Sequence, residues 1–398
     1  MRTRPAVLLC AGAVFTAACG ERDRLAFSPA RVVSQETENG ATPMFLATPR
    51  GDRVVAWVSA PGGGADGSLH LSVTPAGAEA PLPTVTVRDP LGAIEAHGEA
   101  PPQLAAGTDG AVSALYTVGK EVPGKRFPVT ALRFVRSADG GRSWSAPVTV
   151  NDGTEFGSHN FHALTAAPDG SLLATWLDAR QGKSGVWMSR SRDGGRSWEA
   201  NRPIYTDPTC PCCRTSVAVA GDGTLYVAWR AILPGDVRDV VVTRSEDDGL
   251  TWSAPARTRA DDWVYPGCPH AGPSLKVDAG GVLHVGWWTG KEGEAGVYYA
   301  RSEDGGEGTR EAGSACSGRT KRAADATGSA RVHVAACARR RLLCHRTLGR
   351  SARRRSHAGR DPAAAGARAH PRTSSDRDQE RRLRPARRNG ECEARSAP

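Results

Sequence analysis

The chain has 398 residues, enough to bury one large core or two ordinary ones, and carries a formal net charge of +10. The charge is unevenly placed: residues 305–398 hold 23 basic and 9 acidic side chains, whereas residues 1–304 hold 29 and 33. Everything ahead of the tail is therefore mildly acidic, which argues against the broad basic face of a nucleic-acid binder, and no nucleic-acid partner is expected.

At the N-terminus, Arg2 and Arg4 precede an apolar run from Ala6 to Ala18 that is too short to span a bilayer. It ends in Thr16-Ala17-Ala18-Cys19, which resembles a bacterial lipoprotein cleavage site with Cys19 as the lipidated residue. Secretion with simple cleavage near Ala18 is the alternative. Both place the protein outside the cytoplasm, on the periplasmic or outer face of the envelope. Membrane contact is expected through the lipid anchor alone. Residues 19–40 are polar and irregular and read as a tether.

From residue 41 two features alternate. One is a short apolar strand that follows a glycine turn and ends in an aromatic, at Trp57, Tyr116, Trp176, Trp229 and Trp287. The other is an eight-residue motif: SADGGRSW from Ser137 to Trp144, SRDGGRSW from Ser191 to Trp198, and SEDDGLTW from Ser245 to Trp252. Asp139, Asp193 and Asp247 therefore recur every 54 residues, and a fourth copy opens at Ser302 with Asp304 before it dissolves. Constant spacing over three copies is a strong repeat signal. Each motif suits a tight turn: the carboxylate accepts from turn amides, glycine supplies a positive φ, and tryptophan anchors the loop on the sheet.

These residues resemble the Asp-box, or BNR repeat, of the sialidase-like β-propellers. The resemblance covers residues 41–305 and implies an all-β fold, a six-bladed β-propeller with five recognisable four-stranded blades. In that family the Asp-boxes are structural turns away from the active site, so function has to be argued from other residues. Residues 306–398 are rich in Arg, Ala, Gly and Ser and contain no Trp, Tyr or Phe. They cannot bury enough apolar surface to fold as written. The repeat breaks inside a motif, so the tail reads as a sixth blade lost to a frameshift, with a natural disordered basic extension as the alternative. Resequencing the gene tests this, since a shifted frame must restore a strand-rich blade.

Unusual polar residues gather in the segments leading into successive blades: His97 and Glu99, His159 and His162, Cys210-Pro-Cys212-Cys213-Arg214, and Cys268-Pro-His270. The ends of second strands add Asp178, Arg180 and Arg230. This recurrence predicts a site on the face opposite the Asp-boxes. The resemblance implies a glycan or cell-envelope ligand; among the clustered residues Arg214 is the candidate for binding its anion, Glu99 or Asp178 for acid or base, and His97, His159, His162 and Arg180 for further ligand contacts. The family's arginine triad and late tyrosine are incomplete here: Ala41-Thr42-Pro43 stands where the first arginine belongs, and no tyrosine follows Tyr299. Sialidase-type hydrolysis is one expectation. The other is a non-catalytic binding propeller whose cysteines and His270 hold copper or zinc, or form a disulfide staple. An oxidising compartment favours disulfides, with Cys268 paired to one of the other three.

Overall fold

The computed structural model describes residues 32–34, 39–59 and 67–305, all within the first of two units, Met1–Ser314. The export signal with Cys19, most of the tether, the glycine-rich link 60–66 and the basic tail lie outside the described residues.

The described chain forms five antiparallel sheets, in which each strand pairs with its neighbours in sequence. Blade 1 comprises β1 (Gly40–Ala47), β2 (Arg53–Ser59), β3 (Ser68–Thr74) and β4 (Val85–Val87). Blade 2 comprises β5 (Gln103–Ala106), β6 (Val112–Lys120), β7 (Val129–Ser137) and β8 (Val148–Thr149). Blade 3 comprises β9 (His159–Ala166), β10 (Leu172–Asp178), β11 (Gly185–Ser191) and β12 (Arg202–Tyr205). Blade 4 comprises β13 (Ser216–Val219), β14 (Leu225–Arg230), β15 (Val240–Ser245) and β16 (Ala256–Arg257). Blade 5 has three strands, β17 (Ser274–Val277), β18 (Leu283–Thr289) and β19 (Gly296–Ser302). No α-helix occurs among the described residues, so no helix there is long and apolar enough to cross a membrane.

First strands adjoin in order, β1 beside β5, β5 beside β9, β9 beside β13 and β13 beside β17. Between successive sheets lies a continuous apolar layer. Ala56, Val58, Leu69 and Leu71 of blade 1 meet Ala114, Tyr116 and Val118 of blade 2. Leu115, Leu132 and Phe134 meet Leu172, Ala174 and Trp176 across the next interface. Leu173, Leu177 and Met188 pack on Val217, Leu225 and Trp229, and Ala218, Tyr226 and Ala228 pack on Leu275, Leu283 and Trp287. A blade covered on both sides buries every residue of its second strand, as β10 does. In β19, by contrast, Val297 and Tyr299 stay exposed while Ala300 is buried, the alternation of a sheet covered on one side.

The five expected blades are therefore present. A sixth is not among the described residues, and blade 5 lacks a fourth strand there.

The three complete Asp-boxes connect third to fourth strands, where the repeat predicted them. In the first, Asp139 Oδ1 accepts from Ser137 Oγ at 2.8 Å and Ser143 N at 2.9 Å, and Oδ2 from Ser143 Oγ at 2.5 Å. Ser137 Oγ in turn accepts the Gly141 amide at 2.7 Å. The same bonds recur around Asp193 and Asp247. Those bonds, from the following hydroxyl first and its amide second, hold the Asp193 and Asp247 carboxyls down to about 2. Trp144, Trp198 and Trp252 each pack into the layer between their own blade and the one before. Gly195 shows why the motif needs glycine: its φ is 86°, and a Cβ there would lie 2.0 Å from Phe134 Cε1.

Candidate functional site

The opposite face carries the segments that lead into blades 2 to 5, together with the links from second to third strands. His159 and His162, expected at a loop, stand on β9 itself, while Asp178 ends β10 and Arg230 ends β14. A side chain at a strand end is held in register by its ladder, so these positions are rigid.

Asp178 is buried and anchors one network. Its Oδ2 accepts from His159 Nδ1 at 2.8 Å, Trp176 Nε1 at 2.9 Å and Arg180 Nη2 at 2.8 Å, and its Oδ1 from the Arg180 amide at 2.8 Å. Burial works to raise its pKa, but the bonds from His159 and Arg180 win and hold the carboxyl well below its usual range. Arg180 also pairs with Asp152 at 2.6 Å and lies 4.2 Å above the Trp187 ring. His162 is completely buried, and its Nε2–H donates to Leu115 O at 3.1 Å, tying blade 3 to blade 2. Burial pushes its pKa down to about 4, so it is neutral near pH 7.

A cleft of about 610 Å³ opens above this network. Lys125, Arg126 and Phe127 from the β6–β7 link form one wall, and Phe156 to His159 with Asp178 and Arg180 form the other. Phe127 is 65 % exposed, and the Arg126 guanidinium lies over its ring at 5.2 Å. Sequence reasoning placed His159, Asp178 and Arg180 here and missed Lys125, Arg126, Phe127 and Phe156. The Gly-Lys-Arg-Phe run at residues 124–127 was the available signal.

A second network joins three blades. Glu99 Oε2, from the segment before blade 2, accepts the Gly272 amide before blade 5 at 3.0 Å and the Arg214 amide before blade 4 at 3.4 Å. Arg214 Nη1 lies 3.8 Å from Glu99 Oε1. His97 Nδ1 accepts the Glu99 amide at 3.2 Å, and its ring stands 5.8 Å from that of His270 and 5.4 Å from Phe161. Burial, then the neighbouring His270, lower the His97 pKa. The structure thus unites His97, Glu99, Arg214 and His270, but Glu99 and Asp178 belong to different networks and share no bond.

Beneath Phe161, Cys210 Sγ lies 3.6 Å from Cys212 Sγ and 3.5 Å from Cys213 Sγ, and all three are buried. All four cysteines of the described residues are free thiols, so the expected staple through Cys268 is absent. Cys268 is half-buried and packs against the three without joining their sulfur cluster. The reason is placement: the Cys268 segment meets the cluster through Ala271, whose amide donates to Cys213 Sγ at 3.4 Å. Hydrogen bonds from Cys212 and Cys213 hold the Cys210 thiol well below its usual range, and the same bonds with Cys210 push both neighbours up. Arg230, wholly buried, spends its donors on the carbonyls of Ala271, Arg238 and Trp288. It is a bond between blades 4 and 5, not a ligand contact.

The sequence profile of the BNR repeat-like domain matches residues 43–263, more than half of the chain. The chain belongs to this family. No curated protein sequence matches it. Among solved structures, this BNR repeat-like chain is similar to a protein of unknown function from Dyadobacter fermentans, at 18 % identity and a TM-score of 0.45 over 67 % of this chain and 94 % of that one. It is also similar to the Hadza microbial sialidase Hz136, at 17 % identity and a TM-score of 0.49, covering 68 % of this chain and 57 % of the sialidase. A Penicillium chrysogenum alpha-L-arabinanase complexed with arabinobiose is similar at 15 % identity and a TM-score of 0.45, over 68 % of this chain and 79 % of that one.

Proposed function

We propose that this BNR repeat-like protein is an exported, lipid-anchored glycan-binding propeller that takes an anionic sugar in the cleft between blades 2 and 3 without hydrolysing it. The observation that carries this reading is the cleft itself: about 610 Å³, bounded by Lys125, Arg126 and Arg180 with Phe127 and Phe156 beside them. That volume suits a sugar residue or two, cations suit its carboxylate, and the phenyl rings suit its apolar ring face. Hydrolysis is disfavoured by the fate of the two carboxylates. Asp178 is fully bonded and held ionised, unsuited to donate a proton, while Glu99 is committed to two backbone amides elsewhere. A two-carboxylate retaining glycosidase needs both groups flanking one bond, about 5 Å apart, and the sialidase type needs a tyrosine nucleophile instead.

Calorimetry with sialyllactose and with lactose tests the reading. Binding of the acidic sugar only, weakened about tenfold or more by Arg126→Ala and by added salt, is expected. Equal binding of both sugars, or indifference to Arg126→Ala, overturns it. Turnover of a fluorogenic sialoside that is lost in Arg214→Ala would establish the hydrolase instead. Metabolic labelling with a fatty acid, abolished by Cys19→Ser, checks the anchor.

A further inference from the structure

The glycan cleft leaves the three-thiol cluster without a role, and its geometry has a specific meaning. Sulfurs 3.5 and 3.6 Å apart are too distant for a disulfide, whose bond is about 2.05 Å. They are close to the separation of about 4 Å that a metal about 2.3 Å from each of three sulfurs would impose. All three lie within 4.8 Å of one another. We propose that Cys210, Cys212 and Cys213 form a three-coordinate site for a monovalent copper ion.

The surroundings are those of a thiolate–metal centre. The Ala271 amide already donates to Cys213 Sγ, the kind of N–H···S bond that orients a ligand and offsets its charge. Cys210 is placed by its own amide, which donates to Arg230 O at 3.0 Å. The Arg230 guanidinium donates to the Ala271 carbonyl and so fixes the residue whose amide meets Cys213. Phe161 and Ile232 supply an apolar wall that keeps water away. Two residues at this spot hold left-handed backbone that ordinary side chains avoid, Phe161 at φ 56° and His270 at φ 49°. Such strain persists where the surrounding structure fixes a functional arrangement.

Three sulfurs, with no fourth ligand atom in the cluster among the described residues, select the ion. Thiolates prefer monovalent copper, which accepts a trigonal set, whereas structural zinc takes four ligands. Loading is balanced by protons alone: three thiols and one cuprous ion give a doubly negative tris-thiolate complex and release three protons to solvent. No oxidant or reductant is consumed.

The test uses the full-length reduced protein, kept free of oxygen and titrated with cuprous ion against a chromophoric cuprous chelator. One retained equivalent, with three sulfur scatterers in X-ray absorption, is expected. Cys212→Ser and Cys213→Ser should lose that equivalent while tryptophan fluorescence confirms that they fold. Cys268→Ser should keep it. The proposal is overturned if wild type surrenders copper as readily as Cys212→Ser, or if Cys268→Ser loses the ion. It is equally overturned if zinc is retained in preference to cuprous ion with a fourth scatterer, or if peptide mapping of the protein as isolated finds two of the three bridged.

Discussion

The two faces of the propeller are built on opposite plans. On the Asp-box face the same turn is made three times with the same bonds, and the charges nearby are spent on each other. A cleft of about 410 Å³ on that face is lined by Arg190 and Arg192 with Asp169 and Asp248, and Arg190 pairs with Asp248 at 2.6 Å and Asp169 at 3.6 Å. On the lead-in face no two blades repeat. The segment before blade 2 gives Glu99 and His97, that before blade 4 gives three cysteines and Arg214, and that before blade 5 gives His270 and the amides that bind them. Repetition on one face sets the architecture. Variation on the other leaves a cleft edged by Lys125, Arg126 and the exposed Phe127, and a cluster of buried thiols, and that is where a ligand can gain something.

The contrast makes predictions of unequal size. Asp178→Ala is expected to cost most, about 3–5 kcal/mol, because it strands the buried partners His159 and Trp176 together with Arg180. Urea unfolding measures it, and a loss below 1 kcal/mol would mean that the lead-in face tolerates change as a simple surface does.

A pH titration gives the next effect. His162 is neutral when folded, with a pKa near 4, and the unfolded chain takes up that proton near 6.5. Its stabilising contribution is complete above pH 6.5 and is lost as pH falls toward 4, by about 3 kcal/mol. In His162→Leu the slope over this window should flatten; an unchanged slope would assign the acid sensitivity to other groups.

Gly195→Ala probes the Asp-box face. The new Cβ meets the Phe134 ring at an unfavourable φ, and about 2–3 kcal/mol should be lost. Met or Leu at 134 would not relieve the backbone part, but Phe134→Ala in the same chain should recover some of the clash, which a double-mutant cycle would read.

The smallest effect belongs to Asp193→Ala. Its carboxylate is exposed, and the turn keeps the Ser191–Gly195 bond and the partly buried Trp198 packed on the layer between the blades. The melting temperature should fall less than for Gly195→Ala, with cleft binding unchanged. A loss of sugar binding would couple the two faces and break the comparison.

Much of this was legible in the residues. The five blades, their glycine turns and the Asp-box positions all followed from a period of 54 and from short apolar strands ending in aromatics. So did the sorting of loops onto two faces, since topology alone divides the loops of an up-and-down blade into two sets. The individual roles were less legible. His162 looked like a ligand contact but is a core histidine bonded to Leu115 O, because its place on β9 points it between sheets. Arg180 borders the cleft as expected while also bracing Asp178 and Asp152. Cys268 looked like the partner of the cysteine run, yet its segment reaches the cluster through the Ala271 amide.

The blade repeat is a local matter, because each Asp-box is closed by bonds between residues two to four apart. Which lead-in residues meet depends instead on how the blades pack. The bonds of Glu99 span 115 and 173 residues, and the cleft wall of Lys125 to Phe127 faces residues of the next blade. Such contacts depend on how sheets pack around their apolar layers, and packing geometry leaves no periodic trace in the chain.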